Sequence, residues 1–229
     1  MLALVRTRTL LASFVGLGIA SVWIYARLTV ALELRIEPLR TGKGAAYLVR
    51  APSGATLLIN AGSDASILRA LGTRLPPWQR SLAVVVLTDP GAKSAGGLPS
   101  VLNRYRVPLF IRSAARGSFS REQALAAALK KQGTRVLPAV EGMRLALGSG
   151  AFVDVLWPNA QAARGTGPST TIVARISYGS TSFVIEPNLP KRTRNWLVQT
   201  EQRALASALF LSSTSPPVVS DGWTVTTLR

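Results

Sequence analysis

From residue 32 onward the chain alternates short apolar runs with stretches of helical spacing. Leu32–Glu37, Ala45–Arg50 and Thr56–Asn60 have the composition of strands, with Pro52-Ser53-Gly54 turning the chain between the last two. Asp64–Leu71 is a short helix. Leu82–Leu87 is a continuous apolar run, as expected of a strand buried on both faces. Leu98–Arg104 is helical and Pro108–Arg112 a strand. Ser120 opens a longer helix, with Gln123 three residues on in a capping-box pattern, and Gly133 closes it. Strands follow at Arg135–Leu137, Met143–Leu147 and Phe152–Leu156, then a Gly/Ala-rich loop over 160–168. Thr171–Ser177 and Ser182–Glu186 make a hairpin around Tyr178-Gly179-Ser180. Lys191–Ser207 is a helix, and Leu209–Ser212 and Trp223–Thr227 are short strands. With no internal repeat and no long linker, residues 32–229 form one α/β domain in which hairpins mix the sheets.

Residues 1–31 follow a different pattern. Thr9 to Ala26 is a run of 18 residues without a charge. As a helix it would be roughly 27 Å long, near the thickness of a hydrocarbon core. Trp23 and Tyr25 lie toward its C-terminal end, where aromatic belts form. Arg6 and Arg8 precede it, against Arg27 alone on the other flank, so the positive-inside rule keeps the N-terminus in the cytoplasm and exports the rest. The expectation is a single-pass anchor in a bacterial cell membrane; a cleaved signal sequence is the alternative, and it too exports the domain.

Composition sharpens the chemistry. The chain has no Cys, which excludes disulfides and thiolate metal sites, and no His, which excludes histidine bases and the commonest metal ligand. It carries 27 Lys+Arg against 10 Asp+Glu. Residues 1–31 hold three of the arginines and no acid, so the remainder keeps 24 basic residues against 10 acidic, a net +14. The basicity belongs to the domain, and it suits a polyanionic partner or an anionic surface.

Residues Leu87-Thr88-Asp89-Pro90-Gly91-Ala92-Lys93-Ser94-Ala95-Gly96-Gly97-Leu98 are similar to the metallo-β-lactamase-fold signature L-T-H-P-H-A-D-H-I-G-G-L. The segment resembles more closely the C-terminal domain of the ComEC family of DNA-uptake channels. Residues 39–46 (LRTGKGAA) resemble that family's L-D-V-G-Q-G-D-A, and residues 57–62 (LLINAG) its L-L-I-D-A-G. Residues 154–158 (DVLWP), 172–179 and 183–188 (FVIEPN) match further segments in order, so the resemblance runs from about Leu32 to Leu211. It implies a four-layer αββα sandwich of two mixed sheets, which in this chain would follow the membrane helix read from residues 1–31.

In that family His and Asp side chains after the central strand hold two metal ions. The resemblance puts Asp89, Gly91, Lys93 and Ser94 at those positions, and Asn188 at a later Asp ligand. The final His position falls near Ser212 or Ser213. Asn60 and Arg40 stand at acidic positions of the earlier motifs. One carboxylate beside an ammonium does not hold a divalent ion, so the expectation is no metal, no cofactor and a pseudoenzyme. Arg40, Lys43, Lys93, Lys191, Arg192 and Arg194 are anion-binding candidates. Lys191-Arg192-Thr193-Arg194 opens a helix, where cations oppose the dipole; either a solvated basic face or an anion site accounts for it. Gly96-Gly97 reads as a tight strand-to-helix turn, ahead of phosphate binding. Lys93-Ser94 reads poorly as a dyad, because neighbouring loop residues rarely face one another. Trp78, Trp157 and Trp196 read as packing ahead of base stacking.

The reading is a membrane-anchored, non-catalytic domain that binds DNA or another polyanion, or partners DNA-uptake machinery. The alternatives are an active metal-dependent hydrolase with an atypical site, and a protein–protein scaffold at the membrane. The topology is testable: a C-terminal alkaline phosphatase fusion is expected to be active in a bacterial host, whereas activity only from a cytoplasmic reporter reverses the orientation.

Overall fold

The computed structural model describes residues 33–164, 170–186 and 208–212, together with Gly16, Gly18 and Ser21. The chain divides into two units, Met1–Leu32 and Glu33–Arg229. The span candidates Thr9, Trp23, Tyr25 and Ala26 lie outside the described residues, as do the expected helix 191–207 and the strand 223–227. Among the described residues no helix is long and apolar enough to cross a membrane.

The second unit is built on two mixed sheets, as the alternation of elements implied. The first has the order β1-β2-β3-β4-β5-β6: β1 (Arg35–Arg40), β2 (Ala45–Arg50), β3 (Thr56–Ile59), β4 (Val84–Leu87), β5 (Leu109–Arg112) and β6 (Arg135–Pro138). β1, β2 and β3 pair antiparallel, and β3 through β6 pair parallel. The second sheet comprises β7 (Arg144–Gly148), β8 (Ala151–Trp157), β9 (Val173–Tyr178), β10 (Thr181–Glu186) and β11 (Ala208–Ser212), adjacent in reverse order. It is antiparallel except for the parallel β10–β11 pair.

Side-chain alternation divides the apolar residues between two cores. Leu57 and Ile59 of β3, Val84 and Val86 of β4 and Ile111 of β5 pack against Val153, Val155, Ala174, Ile176, Phe183 and Ile185 of the second sheet. The alternate residues Leu58, Val85, Leu87 and Phe110 face the helices. Those helices are α1 (Ser66–Gly72), α2 (Ala92–Ala95), α3 (Leu98–Arg104) and α4 (Phe119–Gln132). Ile67, Leu71, Ala95, Leu98, Val101, Leu102, Leu125 and Leu129 bring all four to one face of the first sheet. A strand covered on both faces needs apolar side chains at every position, which is why β3 and β4 have no polar alternation.

Three local expectations shift. The first strand runs through Pro38 to Arg40 instead of ending at Glu37. β1 is a sheet edge, where a missing N–H is tolerated, and the opposite edge strand β6 also carries a proline, Pro138. α2 is a separate turn of helix inside a segment read as loop. α4 has Ser118 at its N-cap, and Glu122, not Gln123, reaches back to accept from the Gly117 N–H at 2.9 Å. Gly133 closes the helix in left-handed conformation, as expected.

Glu122 also ties α4 to the end of β5. Arg112 grips it with both terminal nitrogens, at 2.9 and 2.8 Å, and Arg116 lies 3.6 Å away. The Arg112 hydrogen bonds outweigh burial and hold the Glu122 carboxyl down to about 2. A depressed carboxyl stabilises the fold fully above its ordinary value of 4.5, and that stabilisation is lost as pH falls through about 2. Glu122→Gln is therefore expected to cost about 1–3 kcal/mol at neutral pH. Urea unfolding of wild type and variant should converge between those two pH values; a constant gap across that window would show that the charge is not what stabilises.

Candidate functional site

Parallel strands β3, β4 and β5 end side by side, and the loops leaving their carboxyl ends form the site. Open α/β sheets commonly place ligands there. β3 leaves the sheet at Asn60, which is fully buried and has a left-handed backbone, φ 58°. Asn is one of the few non-glycine residues that adopt this conformation readily. Its amide is satisfied by the first residue after β4. Nδ2 donates to Thr88 Oγ1 at 2.9 Å, and Oδ1 accepts from the Thr88 N–H at 2.9 Å and the Thr88 hydroxyl at 3.0 Å. The main chains continue the link: Asn60 N–H donates to the Val86 carbonyl, and Ile172 N–H, just ahead of β9, donates to the Thr88 carbonyl.

Asp89 follows. Its Oδ1 accepts from the Gly91 N–H at 2.8 Å, and its Oδ2 accepts from the hydroxyl of Ser94, a buried residue on α2. The carboxylate thus closes its own loop. The Ser94 carbonyl accepts from the Ala61 N–H at 2.8 Å, which fixes α2 against the loop after β3. Ser94 faces Asp89 while Lys93 is exposed, so the two do not form a dyad.

Gly96 and Gly97 are packing residues. A side chain at Gly96 would begin 2.0 Å from the Ser63 carbonyl oxygen. The Gly97 N–H donates to the Gly62 carbonyl, so it is not free for a phosphate. The pair joins α2 to α3, so the expected strand-to-helix turn is instead a close-packed joint between two helices.

The loop 41–44 completes the site. Gly44 has φ 94° and lies so near Lys93 that a Cβ would sit 2.0 Å from the Lys93 carbonyl oxygen. Lys43 and Lys93 therefore stand on abutting backbone. The Lys43 N–H donates to Ser63 Oγ at 3.1 Å, and the Gly42 N–H to Ser66 Oγ at 3.2 Å. Arg40, at the end of β1, is exposed. Among the described residues, Arg40, Lys43 and Lys93 have no carboxylate within ion-pair distance. Asn188, Lys191, Arg192 and Arg194 lie outside the described residues.

Two contributors were not singled out from sequence. Thr88 is the partner that satisfies Asn60; the signal was that both residues directly follow neighbouring buried strands. Asp64 accepts from the Ser66 N–H at 2.8 Å and from Ser63 Oγ at 2.9 Å. Hydrogen bonds from Ser66 and then Ser63 hold its carboxyl below the usual range. The cue was the Ser63-Asp64-Ala65-Ser66 turn pattern before α1. Trp157 is buried, whereas Trp78 is 81% exposed, which corrects the packing reading for Trp78. Trp196 lies outside the described residues.

No family model matches the chain, and no curated protein matches it in sequence. Among solved structures it is similar to a HARLDQ-motif metallo-β-lactamase mutant from Cronobacter sakazakii, at 16% identity, over 78% of this chain and 74% of that one, with a TM-score of 0.50. It is also similar to MEM-A1, a subclass B3 metallo-β-lactamase from a soil metagenome library, at 12% identity over 81% and 78% of the chains, TM-score 0.49. A third is Zn2+-bound PqqB from Methylobacterium extorquens, at 12% identity over 69% and 66%, TM-score 0.47. The first of these likenesses identifies the fold as that of the metallo-β-lactamases.

The described residues do not assemble the donor set of the metal that such a fold implies. Among the described residues no three His, Cys, Asp or Glu side chains come together. Asp89, the carboxylate at the end of β4, is engaged by Ser94 and Gly91.

The Asn60–Thr88 bridge gives a direct stability test. Thr88→Val keeps the volume but removes the hydroxyl, leaving the buried Asn60 Nδ2 without its partner. The expected cost is about 1–3 kcal/mol by urea unfolding. A loss below about 0.5 kcal/mol, the size of an ordinary surface change, would mean that the bridge is dispensable.

Proposed function

We propose that this chain is a non-catalytic metallo-β-lactamase-fold domain that binds DNA or another polyanion through the loops that follow β1 and β4. In this reading residues 1–31 anchor it in the membrane with the domain outside the cell, and its partner is a DNA-uptake channel. The observation that carries the binding role is the abutment of the Lys43 and Lys93 loops. Two ammonium groups, with the Arg40 guanidinium beside them in sequence, stand where no carboxylate pairs with them among the described residues. Lys191, Arg192 and Arg194 extend the same set of candidates.

The chemistry supports binding over hydrolysis. Zinc and other divalent ions need several convergent donors, and a chain without His or Cys draws only on carboxylates, amides and hydroxyls. Asp89 spends both oxygens on its own loop. Fixed cations attract phosphate without activating water, and the domain's net +14 adds long-range attraction. Asp64 lies close by and opposes part of this charge. Its oxygens are directed to Ser63 and Ser66, leaving the lysines as the outward groups.

The test uses the full-length chain and a fluorescein-labelled oligonucleotide, with binding measured by anisotropy across a salt series. Lys43→Ala with Lys93→Ala is expected to weaken binding and to reduce the slope of log affinity against log salt by about one to two. Arg104→Ala with Arg106→Ala removes two exposed cations near the opposite end of β5 and should change both quantities less. Equal effects of the two double variants would assign the binding to diffuse surface charge and end the site reading.

A further inference from the structure

A second surface lies apart from the Lys43–Lys93 loops. A groove of about 760 Å³ runs between α4 and the edge strand β6. Phe119, Gln123, Ala126 and Lys130 line its helical side at i, i+4, i+7 and i+11, so it follows one face of α4 for about 16 Å. Val136 and Pro138 line the strand side. Three large hydrophobic side chains are exposed among the described residues, and two of them border this groove: Phe119 at 83% and Val136 at 42%. An exposed apolar groove of this kind marks an interaction site.

Charge selects the occupant. The groove has one carboxylate, Glu122, and that group is taken up by Arg112, Arg116 and the Gly117 N–H. Arg116 keeps a side chain 77% exposed near the N-terminal end of α4. Lys130 is exposed toward the other end and has no ion pair among the described residues. An apolar floor with a cation toward each end complements a segment that is apolar on one face and acidic on its flanks.

Backbone chemistry selects its conformation. The Arg135 and Ala139 N–H groups point inward, to the carbonyls of Pro108 and Arg112. By alternation the outward positions of β6 are Val136 and Pro138, and proline has no N–H. An added strand would find a single main-chain donor, too few to form a ladder. A helix satisfies its own backbone and needs only apolar and ionic contacts. We infer that the α4–β6 groove docks an acidic amphipathic helix, about three turns long, from a partner protein.

This inference is independent of the polyanion reading, and its test separates the two. A random-peptide display library is selected on the full-length chain in lipid nanodiscs. The enriched peptides are expected to be net negative, with Leu, Phe or Trp at i, i+3 or i+4, and i+7. Phe119→Ala and Lys130→Glu should each weaken binding of a selected peptide by about tenfold. Lys43→Ala with Lys93→Ala should leave it within about twofold, and an oligonucleotide should not displace it. Because Phe119 is exposed, Phe119→Ala should leave the melting temperature unchanged, which separates lost contact from lost fold. No enrichment, enrichment of basic or neutral peptides, or insensitivity to Phe119→Ala would overturn the inference. Displacement by the oligonucleotide would overturn it too, by assigning the groove to nucleic acid.

Discussion

Asn60 leaves β3 with its side chain sealed from water, so each polar atom of its amide needs a partner inside the fold. Thr88 supplies partners for both the nitrogen and the oxygen, and that requirement fixes the end of β4 against the end of β3. Everything at the site hangs from this bridge. Asp89 comes directly after Thr88 and folds its loop back onto Ser94. Ser94 holds α2 against Ala61, and the Lys93 carbonyl on α2 meets Gly44. The two lysines are thus neighbours because of a buried amide some way beneath them, not because of any contact between their own side chains.

Charge is distributed in keeping with this arrangement. The chain is strongly basic, yet its buried carboxylates are closely matched. Glu37 is paired with Arg50 and Arg74, and Asp154 with Arg144 and Arg175. Unpaired buried charges are costly, so the few acids that enter the core bring their arginines with them. Arg40, Lys43 and Lys93, by contrast, are exposed and have no acidic partner among the described residues. In the proposed reading those on the loops after β1 and β4 are the ones that meet an anion.

The strands were legible in the sequence wherever burial leaves no choice. The apolar runs of β3 and β4 mark strands covered on both faces, and those strands carry the two cores. Elements at the edge of the sheet were less legible. Pro38 reads as the end of a strand, because local chemistry does not reveal that β1 has solvent beyond it. The site was legible as a set of positions, through the ordered resemblance that placed Asp89, Lys93, Ser94 and Asn60 together. The hydrogen bonds that decide what those residues can do were not legible. Whether Asp89 points outward to a ligand or inward to Ser94 depends on where α2 begins, and α2 is a single helical turn with no sequence period of its own. The α4–β6 groove was equally hidden, because Phe119 has the composition of a core residue and only the tertiary arrangement leaves it exposed.

In the proposed reading the carboxylate that follows β4 serves its own loop and the site takes no divalent ion. Equilibrium dialysis of the full-length chain against Zn2+ and Mn2+, followed by elemental analysis, tests it most directly. No stoichiometric ion should be retained after dialysis against metal-free buffer. One or more tightly held ions per chain would contradict it, and would turn Asp89 from a loop anchor into a ligand.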